Sequence, residues 1–502
     1  MEKKCTCRVK VYLAFTIVSI VLFIVSLVLA FKIIPDVIHI EIAKSVRLEN
    51  NTDQFDRFMK LPFPLDFSVY MFQVENPDEV LQGAKPNLTQ IGPFVYNESM
   101  EKLEHFYDTS DDSISYTTNL TFTFDQEASN GLDENRTITV LNPPYWITLQ
   151  TGEELGMSSI ISYCMKYYFA SHNSMFITAT VRELLFDGII FMEPPSDILC
   201  WITFGTVYTV SASKKFVDKV PDGTLRFSYL NYKVRSNDGL YSVNRGIDDV
   251  SQLGNIMRLN NETHTQIWST DNSTCDEIEG TDSTIYAPYI ETDSTLRIYS
   301  TDICRYVEIY YKEDGTYKDV DGLRFSTTNQ TLRASTANPA DDCFCSNSTK
   351  DLNGTASCFL DGILDLQPCL GVPVLLSFPH FLGAEQYTKY VDNMHPNASI
   401  HETSLLVEPN TGTPLMGAKR IQFNTVVRPI DGVQQFENVS RSVLPLFWIE
   451  EGVELTDDYI DLLNDLYFSK KKLADIIQWT FMGVSAGMTV IFTTVFVRVR
   501  FF

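Results

Sequence analysis

Val11 to Phe31 reads VYLAFTIVSIVLFIVSLVLAF, 21 residues without a charge, bracketed by Lys10 and Lys32. As a helix such a stretch spans about 30 Å, the thickness of a bilayer core. Ile476 to Val497 is of the same kind, bordered by Asp475 and Arg498 with nothing ionisable inside. A signal peptide is the plain alternative for the first stretch. Its apolar region would be about 7–15 residues long and end at a small-x-small site, whereas this one runs on into Phe31-Lys32-Ile33-Ile34. An uncleaved anchor fits better. Lys3, Lys4, Arg8 and Lys10 at one end and Arg498 and Arg500 at the other hold both tails in the cytosol, against the opposing signal of Lys470-Lys471-Lys472. The expected order is a tail over 1–10, a span over 11–31, an ectodomain over 32–475, a span over 476–497 and a tail over 498–502.

The middle of the chain agrees with that sidedness. N-x-S/T acceptors stand at Asn50, Asn87, Asn97, Asn119, Asn135, Asn261, Asn272, Asn329, Asn347, Asn353, Asn397 and Asn438, and glycosylation needs a lumenal or extracellular surface. All of the ten cysteines except Cys5 and Cys7 share this stretch, where oxidation lets disulfides persist. Cys5 and Cys7 sit beside the first span on the cytosolic side; reversible palmitoylation is the chemistry open to them, against two reduced thiols with no role. The net charge of −25 excludes nucleic acid as a partner, because phosphate backbones would be repelled.

From Phe63 to Val140 and from Thr224 to Pro445, short alternating runs predominate, among them Phe67 to Phe72, Leu120 to Phe124, Tyr306 to Tyr310 and Ile421 to Val427. Period-two patterning broken by Asn, Gly and Pro predicts an antiparallel sheet, with turns at Gly92-Pro93 and Asn142-Pro143-Pro144. The helix of each span is expected to extend outward, over Ile33 to Leu48 and Leu455 to Leu473. Gly152 to Phe191 lacks proline and carries two capping-box patterns, Thr151-x-x-Glu154 and Thr180-x-x-Glu183, which predicts two helices joined near Ser171-His172-Asn173. In the first, Ser159, Ser162, Lys166 and Asn173 form a narrow polar stripe. The remaining arc, with Ile160, Ile161, Tyr163, Met165, Tyr167, Tyr168 and Phe169, is wider than one core contact requires. It fits either the middle helix of a bundle or a face for a greasy ligand.

Catalytic motifs are missing. HExxH, GxxxxGKS/T and CxxC do not occur, and the GxSxG match at Gly483 to Gly487 lies inside the second apolar run rather than at a strand-to-helix turn, so the chain reads as a non-enzyme that needs no cofactor and no metal. His380 stands in an apolar setting that suits a hydrogen-bonded structural histidine, while His395 and His401 flank the Asn397 sequon and read as solvated loop residues. The role of the cysteines is structural. Cys275, Cys304, Cys343, Cys345, Cys358 and Cys369 allow 15 pairings, of which a Cys343–Cys345 ring would be strained.

The motifs Pro62-Phe63-Pro64-Leu65-Asp66-Phe67, Ile91-Gly92-Pro93-Phe94-Val95-Tyr96, Arg182-Glu183-Leu184-Leu185, Ser300-Thr301-Asp302-Ile303-Cys304-Arg305, Cys343-Phe344-Cys345, Phe378-Pro379-His380-Phe381-Leu382 and Glu408-Pro409-Asn410-Thr411-Gly412 carry a resemblance over nearly the whole chain. It resembles the class B scavenger receptors, the family that includes fatty acid translocase, lysosomal integral membrane protein two and the insect sensory neuron membrane proteins, and within it an insect-type lipid or carotenoid receptor. The resemblance implies an α+β ectodomain with an antiparallel β-barrel core, an apical helical bundle at about 152–191, a disulfide region over 275–369 and an internal hydrophobic tunnel. It pairs Cys275 with Cys343, Cys304 with Cys369 and Cys345 with Cys358.

It further implies capture of lipid from lipoprotein particles at the apex, by Tyr163, Lys166, Tyr167, Phe169, Ala170, His172, Met175 and Phe176, and transfer through the tunnel to the bilayer. Fatty-acid-binding relatives carry lysines where Ala170 and His172 stand, so neutral cargo such as a carotenoid, sterol or ester is favoured over a fatty acid. Cys164 and Cys200 fall outside the usual set and are either free buried thiols or an extra bridge. The tail Arg498 to Phe502 lacks a dileucine sorting signal, which places the chain at the plasma membrane. Gly483 and Gly487 form a GxxxG match for a homo-oligomer through the second span. The other reading is a recognition receptor, for dying cells or for odorants and pheromones.

Overall fold

A computed structural model describes residues 2–234, 238–269, 273–328, 331–332, 339–359 and 361–501. The chain divides into two compact units, one built of 1–47, 318–320 and 455–502, the other of 48–317 and 321–454.

The first unit is a helical pair. A single helix runs over Arg8–Val46 and another over Ser469–Phe501, each long and apolar enough to cross a membrane. The first passes Pro35 without breaking because the preceding turn, Leu29–Ile33, is a π-turn; it absorbs the N–H that proline lacks and the clash its ring would cause. The expected outward extensions are therefore helical, continuous with the spans. The pair is stitched by a Phe15–Phe492 ring stack at 5.3 Å and by a hydrogen bond of 2.9 Å between the hydroxyls of Ser26 and Ser485. Thr16, Ser19, Ser26 and Ala30 are buried along one seam. Small side chains there let the backbones approach, which is how helices associate where no hydrophobic force separates tail from lipid. Lys318 completes the unit by pairing with Asp457 at 2.6 Å.

The second unit carries a sheet of thirteen strands. In chain order these are β1 Leu65–Val74, β2 Leu88–Asp108, β3 Ser113–Asp125, β4 Tyr241–Asn244, β5 Ile256–Leu259, β6 Thr295–Ser300, β7 Arg305–Tyr317, β8 Val320–Ser326, β9 Leu364–Asp365, β10 Leu375–Ser377, β11 Ser404–Glu408, β12 Thr413–Val427 and β13 Ser442–Glu454. Their spatial order is β5-β4-β3-β2-β1-β13-β12-β11-β8-β7-β6, with β10 on β12 and β9 on β10. The four alternating runs picked out in the sequence lie in β1, β3, β7 and β12.

The barrel implied by the resemblance is not closed by a ladder: among the described residues β5 and β6 remain the outer strands. A short strap touches both. The Ile256 N–H donates to Gly280 O at 2.7 Å, the Thr281 N–H to Arg297 O at 3.0 Å, and the Tyr299 N–H to Thr281 O at 2.9 Å.

Gly92-Pro93 is not a turn but lies within β2 near its start, opposite a register shift in β1 between Val69 and Met71. A Cβ at Gly92 would stand 2.8 Å from Val69 O, so only glycine admits this close approach. The Asn142-Pro143-Pro144 segment likewise starts a helix, α1 Pro143–Glu154, with the Asn142 side chain accepting the Tyr145 N–H at 3.4 Å. Trp146 of α1, fully buried, donates from its indole to Val426 O at 2.9 Å and docks the helix on β12.

Candidate functional site

The helical region differs from the expected pair at 152–191. Thr151 and Glu154 end α1 instead of starting a helix, and α2 Ser158–Tyr168 follows. Thr180 and Glu183 do form a reciprocal capping box, the Thr180 N–H donating to Glu183 Oε2 at 2.8 Å and the Glu183 N–H to Thr180 Oγ1 at 3.1 Å. It opens only a short turn that stops at Gly188, and Phe176–Thr180 before it is a strand. The third helix, α3 Ile198–Ala212, was not foreseen. Its sequence, ILCWITFGTVYTVSA, is rich in β-branched residues and without charge, which hides a helix from a propensity reading. The available signal was Asp197 after Pro194-Pro195, an N-cap that accepts the Leu199 N–H at 2.9 Å and the Cys200 N–H at 3.2 Å.

α3 buries Cys200, Thr203, Phe204, Val207 and Ser211, at helical spacing, and turns large apolar residues outward at its start. Ile198 is 84% exposed, Ile202 75% and Trp201 53%. α2 adds exposed Ile160 and Tyr163, and the Tyr163 hydroxyl donates to Asp197 at 3.4 Å. A Cys164–Cys200 disulfide ties α2 to α3, so of the two states open for these cysteines the bridge is the one formed. The Tyr168 hydroxyl reinforces it, within 2.9 Å of Cys200 O and 2.8 Å of Thr203 Oγ1.

Of the residues expected at the apex, Tyr163, Lys166 and Ala170 are exposed and Tyr167 and His172 half-buried, whereas Phe169, Met175 and Phe176 are packed in the core. Lys166 lies over the rings of Tyr163 and Tyr167, 4.5 and 5.0 Å from their centroids. Phe169 packs against Tyr145 at 5.2 Å and Phe191 at 5.5 Å.

Beneath α1 lies an apolar recess of about 620 Å³, its mouth included, walled by Trp146 and Ile147, by Phe216, Phe227 and Tyr229, and by Phe423, Leu446, Phe447 and Ile449. A second recess of about 340 Å³ shares Ile147, Phe216, Phe227 and Val372 with it and reaches Ser211, at the far end of α3 from the exposed patch, and Lys214. They are neighbouring recesses and not a traced tunnel.

Lys233 in the wall of the larger recess belongs to a buried charge cluster. It pairs with Asp302 at 2.7 Å, and Lys419 bridges Asp302 at 3.5 Å to Glu451 at 2.9 Å. Burial works against a charged Asp302, yet Lys233, Lys419 and Lys215 hold its carboxyl well below the usual range. Two cations and two carboxylates balance. Glu98, pushed up to about 8 by burial and then by Glu451, keeps its proton at neutral pH.

His380 donates from Nε2 to Gln90 Oε1 at 2.6 Å and accepts the His395 N–H on Nδ1 at 3.1 Å. His401, read as a solvated loop residue, is instead buried: it stacks on His380 at 4.5 Å and accepts the Asn397 N–H on Nδ1. Each ring is fixed as the neutral tautomer. Burial first, then His401 and His395, push His380 down to about 4.

The remaining disulfides join Cys275 to Cys343, Cys304 to Cys369 and Cys345 to Cys358. Of the sequon asparagines, Asn50, Asn135, Asn261, Asn347, Asn353, Asn397 and Asn438 are exposed and Asn87, Asn97 and Asn119 half-buried. Asn272, Asn329 and the side chains of Cys5 and Cys7 lie outside the described residues. Beside Gly483 and Gly487 an added Cβ would meet open space. Among the described residues no group of three or more His, Cys, Asp or Glu is placed to hold a metal.

Comparison with known proteins gives one family. Sensory neuron membrane protein 2 of Anopheles gambiae is 31% identical, covering 93% of this chain and 90% of its own. Its Manduca sexta counterpart is 32% identical over 96% and 92%, and sensory neuron membrane protein 1 of Apis mellifera 29% over 89% and 83%. The model of the CD36 family matches residues 17–496. With two apolar terminal helices around a large antiparallel ectodomain, this chain is a two-span membrane protein and belongs to the CD36 family.

Proposed function

We propose that this chain is a lipid receptor of the plasma membrane, both tails in the cytosol, and not an enzyme. It takes lipid from carrier particles at the α2–α3 face, holds it in the recesses below and passes it to the bilayer. One observation carries the reading: the exposed start of α3, where Ile198, Trp201 and Ile202 stand in water beside Ile160 and Tyr163. A contiguous apolar patch of this kind marks an interaction surface. α3 itself carries no charged side chain, Lys166 and Asp197 standing at the margin beside Tyr163, and the occupant that suits the apolar centre is a lipid surface. The apolar recesses supply the next station, where each buried methylene gains about 0.8 kcal/mol over water. Neutral lipid, sterol, carotenoid and fatty acid all fit this description.

The test is uptake of labelled lipid by cells matched for surface receptor. Trp201→Glu combined with Ile202→Glu is expected to reduce uptake by about tenfold or more, the equivalent of one lost buried apolar side chain. Unchanged uptake would remove the face from the mechanism. The name shared by the relatives favours one second reading, detection of odorants or pheromones. A lipid extract of the purified protein separates the two: bulk acyl or isoprenoid cargo supports transport, and a volatile odorant supports detection.

A further inference from the structure

His380 and His401 lie on the face of the sheet opposite the recess, since Trp448 beside them alternates with Phe447 and Ile449 of the recess wall. Each spends a lone pair on the same piece of chain. The Nδ1 of His380 accepts the His395 N–H, and the Nδ1 of His401 the Asn397 N–H, both at 3.1 Å. The tautomer of His380 is forced, because Gln90 Oε1 receives both its Nε2–H at 2.6 Å and the Trp448 indole N–H at 2.8 Å. The two rings are parallel within 4°, and Trp448 crosses His401 at 5.8 Å. His380 and Phe381 both have positive φ, 55° and 61°, which non-glycine residues seldom adopt, and buried Gln422 fixes that corner by taking the His380 N–H at 2.7 Å. Both imidazoles are buried, whereas His395 and Asn397 to Ile400 above them are exposed. Among the described residues, these two bonds to Nδ1 are the only ones that tie 395–400 to buried side chains.

A proton on either Nδ1 turns an acceptor into a donor facing a backbone N–H, and sets a cation against the neighbouring ring. The groups around the pair do not reward that charge. Arg420 of β12 is itself a cation and takes up Glu450 of β13, Glu402 after His401 pairs with Lys312, and Asp392 pairs with Lys85. Tyr70 of β1, stacked on Trp448, is pushed up to about 12 by burial and keeps its proton, and β2 presents the neutral Gln90. His395 adds a third imidazole. Burial first, then Arg420, push His401 down to about 4, where His380 also stands.

We propose that the His380–His401 pair is an acid-released latch: it holds 395–400 on the sheet at neutral pH and lets the segment go, His401 moving off Trp448, when the imidazoles take up protons. A freed imidazole titrates near 6.5 and a latched one near 4, so the latch is fully held above 6.5 and weakens as pH falls from 6.5 toward 4. Each histidine favours the open form by about tenfold per pH unit in that window, on the order of 30-fold at pH 5 and 1,000-fold for the pair. The latch works whether or not the recess holds lipid.

The test is millisecond amide exchange on the full-length protein in nanodiscs at pH 7 and pH 5, corrected for the intrinsic pH dependence of exchange. Peptides over 394–401 are expected to open at least about 30-fold more at pH 5, with β1 and β13 unchanged. Exchange at the imidazole C2 position, followed in the same samples, should place both rings near 4. In His401→Asn the side-chain oxygen accepts the Asn397 N–H without titrating; this variant should lose about 30-fold of the acid response while protection at pH 7 stays within about twofold. If it does not fold, the ring titration of the parent chain decides. No acid response over 394–401, either ring titrating near 6.5, equal opening of β1 and β13, or a full response in His401→Asn overturns the latch.

Discussion

Glu98 shows how a single residue can be set by its neighbours. Its Oε2 has no hydrogen-bond partner among the described residues, and it sits beside a cluster already balanced in charge. In the unfolded chain its carboxyl titrates near 4.5 and in the folded one near 8. Between those values the native state binds the extra proton, so its contribution is fully present below 4.5 and is lost as pH rises to 8. The size is on the order of 5 kcal/mol across that window. Glu98→Gln should flatten the slope of unfolding free energy against pH between 5 and 8 relative to the parent chain; parallel slopes would show that Glu98 is ionised in the fold. None of this was legible in the sequence, where Glu98 is one acid within a sequon. His401 is a similar case. Its place beside Asn397 signals a loop, and only the fold brings it against His380, which is 21 positions earlier in the chain.

Among elements, the strands were the most readable and the helices α2 and α3 the least. Burial alternates over Leu120 to Phe124 of β3, which wets one face, whereas Phe67 to Phe72 of β1 and Ile421 to Val427 of β12 have no exposed residue and are strands covered on both faces. α3 defeats that reading: a helix that exposes apolar residues has no polar stripe to reveal its period. Phe169, Met175 and Phe176 are buried in the main cluster, and in a sequence apolar residues look alike whether they face a ligand or a core. The disulfide between α2 and α3 is the element-scale test. It closes a separation of 36 residues, for which the loss of loop restriction is about 3 kcal/mol or more. Cys200→Ser should raise amide exchange across 198–212 and lower lipid uptake, with exchange in β1 and β13 unchanged. Equal protection in α3 would mean that Tyr168 and its neighbours suffice to hold it.

The plan of the whole molecule was open from its ends inward. Two uncharged runs, a field of sequons and a cysteine-rich middle are properties of composition, which folding cannot disguise. The seam of Thr16, Ser19, Ser26 and Ala30 was also present in the sequence but hidden by the larger residues around it. The orientation can be tested directly. Epitope tags at either terminus should stain only in permeabilised cells, and endoglycosidase should shift the protein's mobility. A tag stained on intact cells would reverse the sidedness assigned from Lys3, Lys4, Arg8 and Lys10.

The strap at Gly280-Thr281 has one further bearing on a protein of this size. Among the described residues the thirteen-stranded sheet ends its main path in β5 and β6, and each such border is a template on which another chain can add a strand and begin to aggregate. Two residues occupy hydrogen-bonding groups on both borders at once. A newly made chain, crowded among copies of itself before its disulfides are complete, would then have these two hazards blunted together, by one short piece of its own backbone.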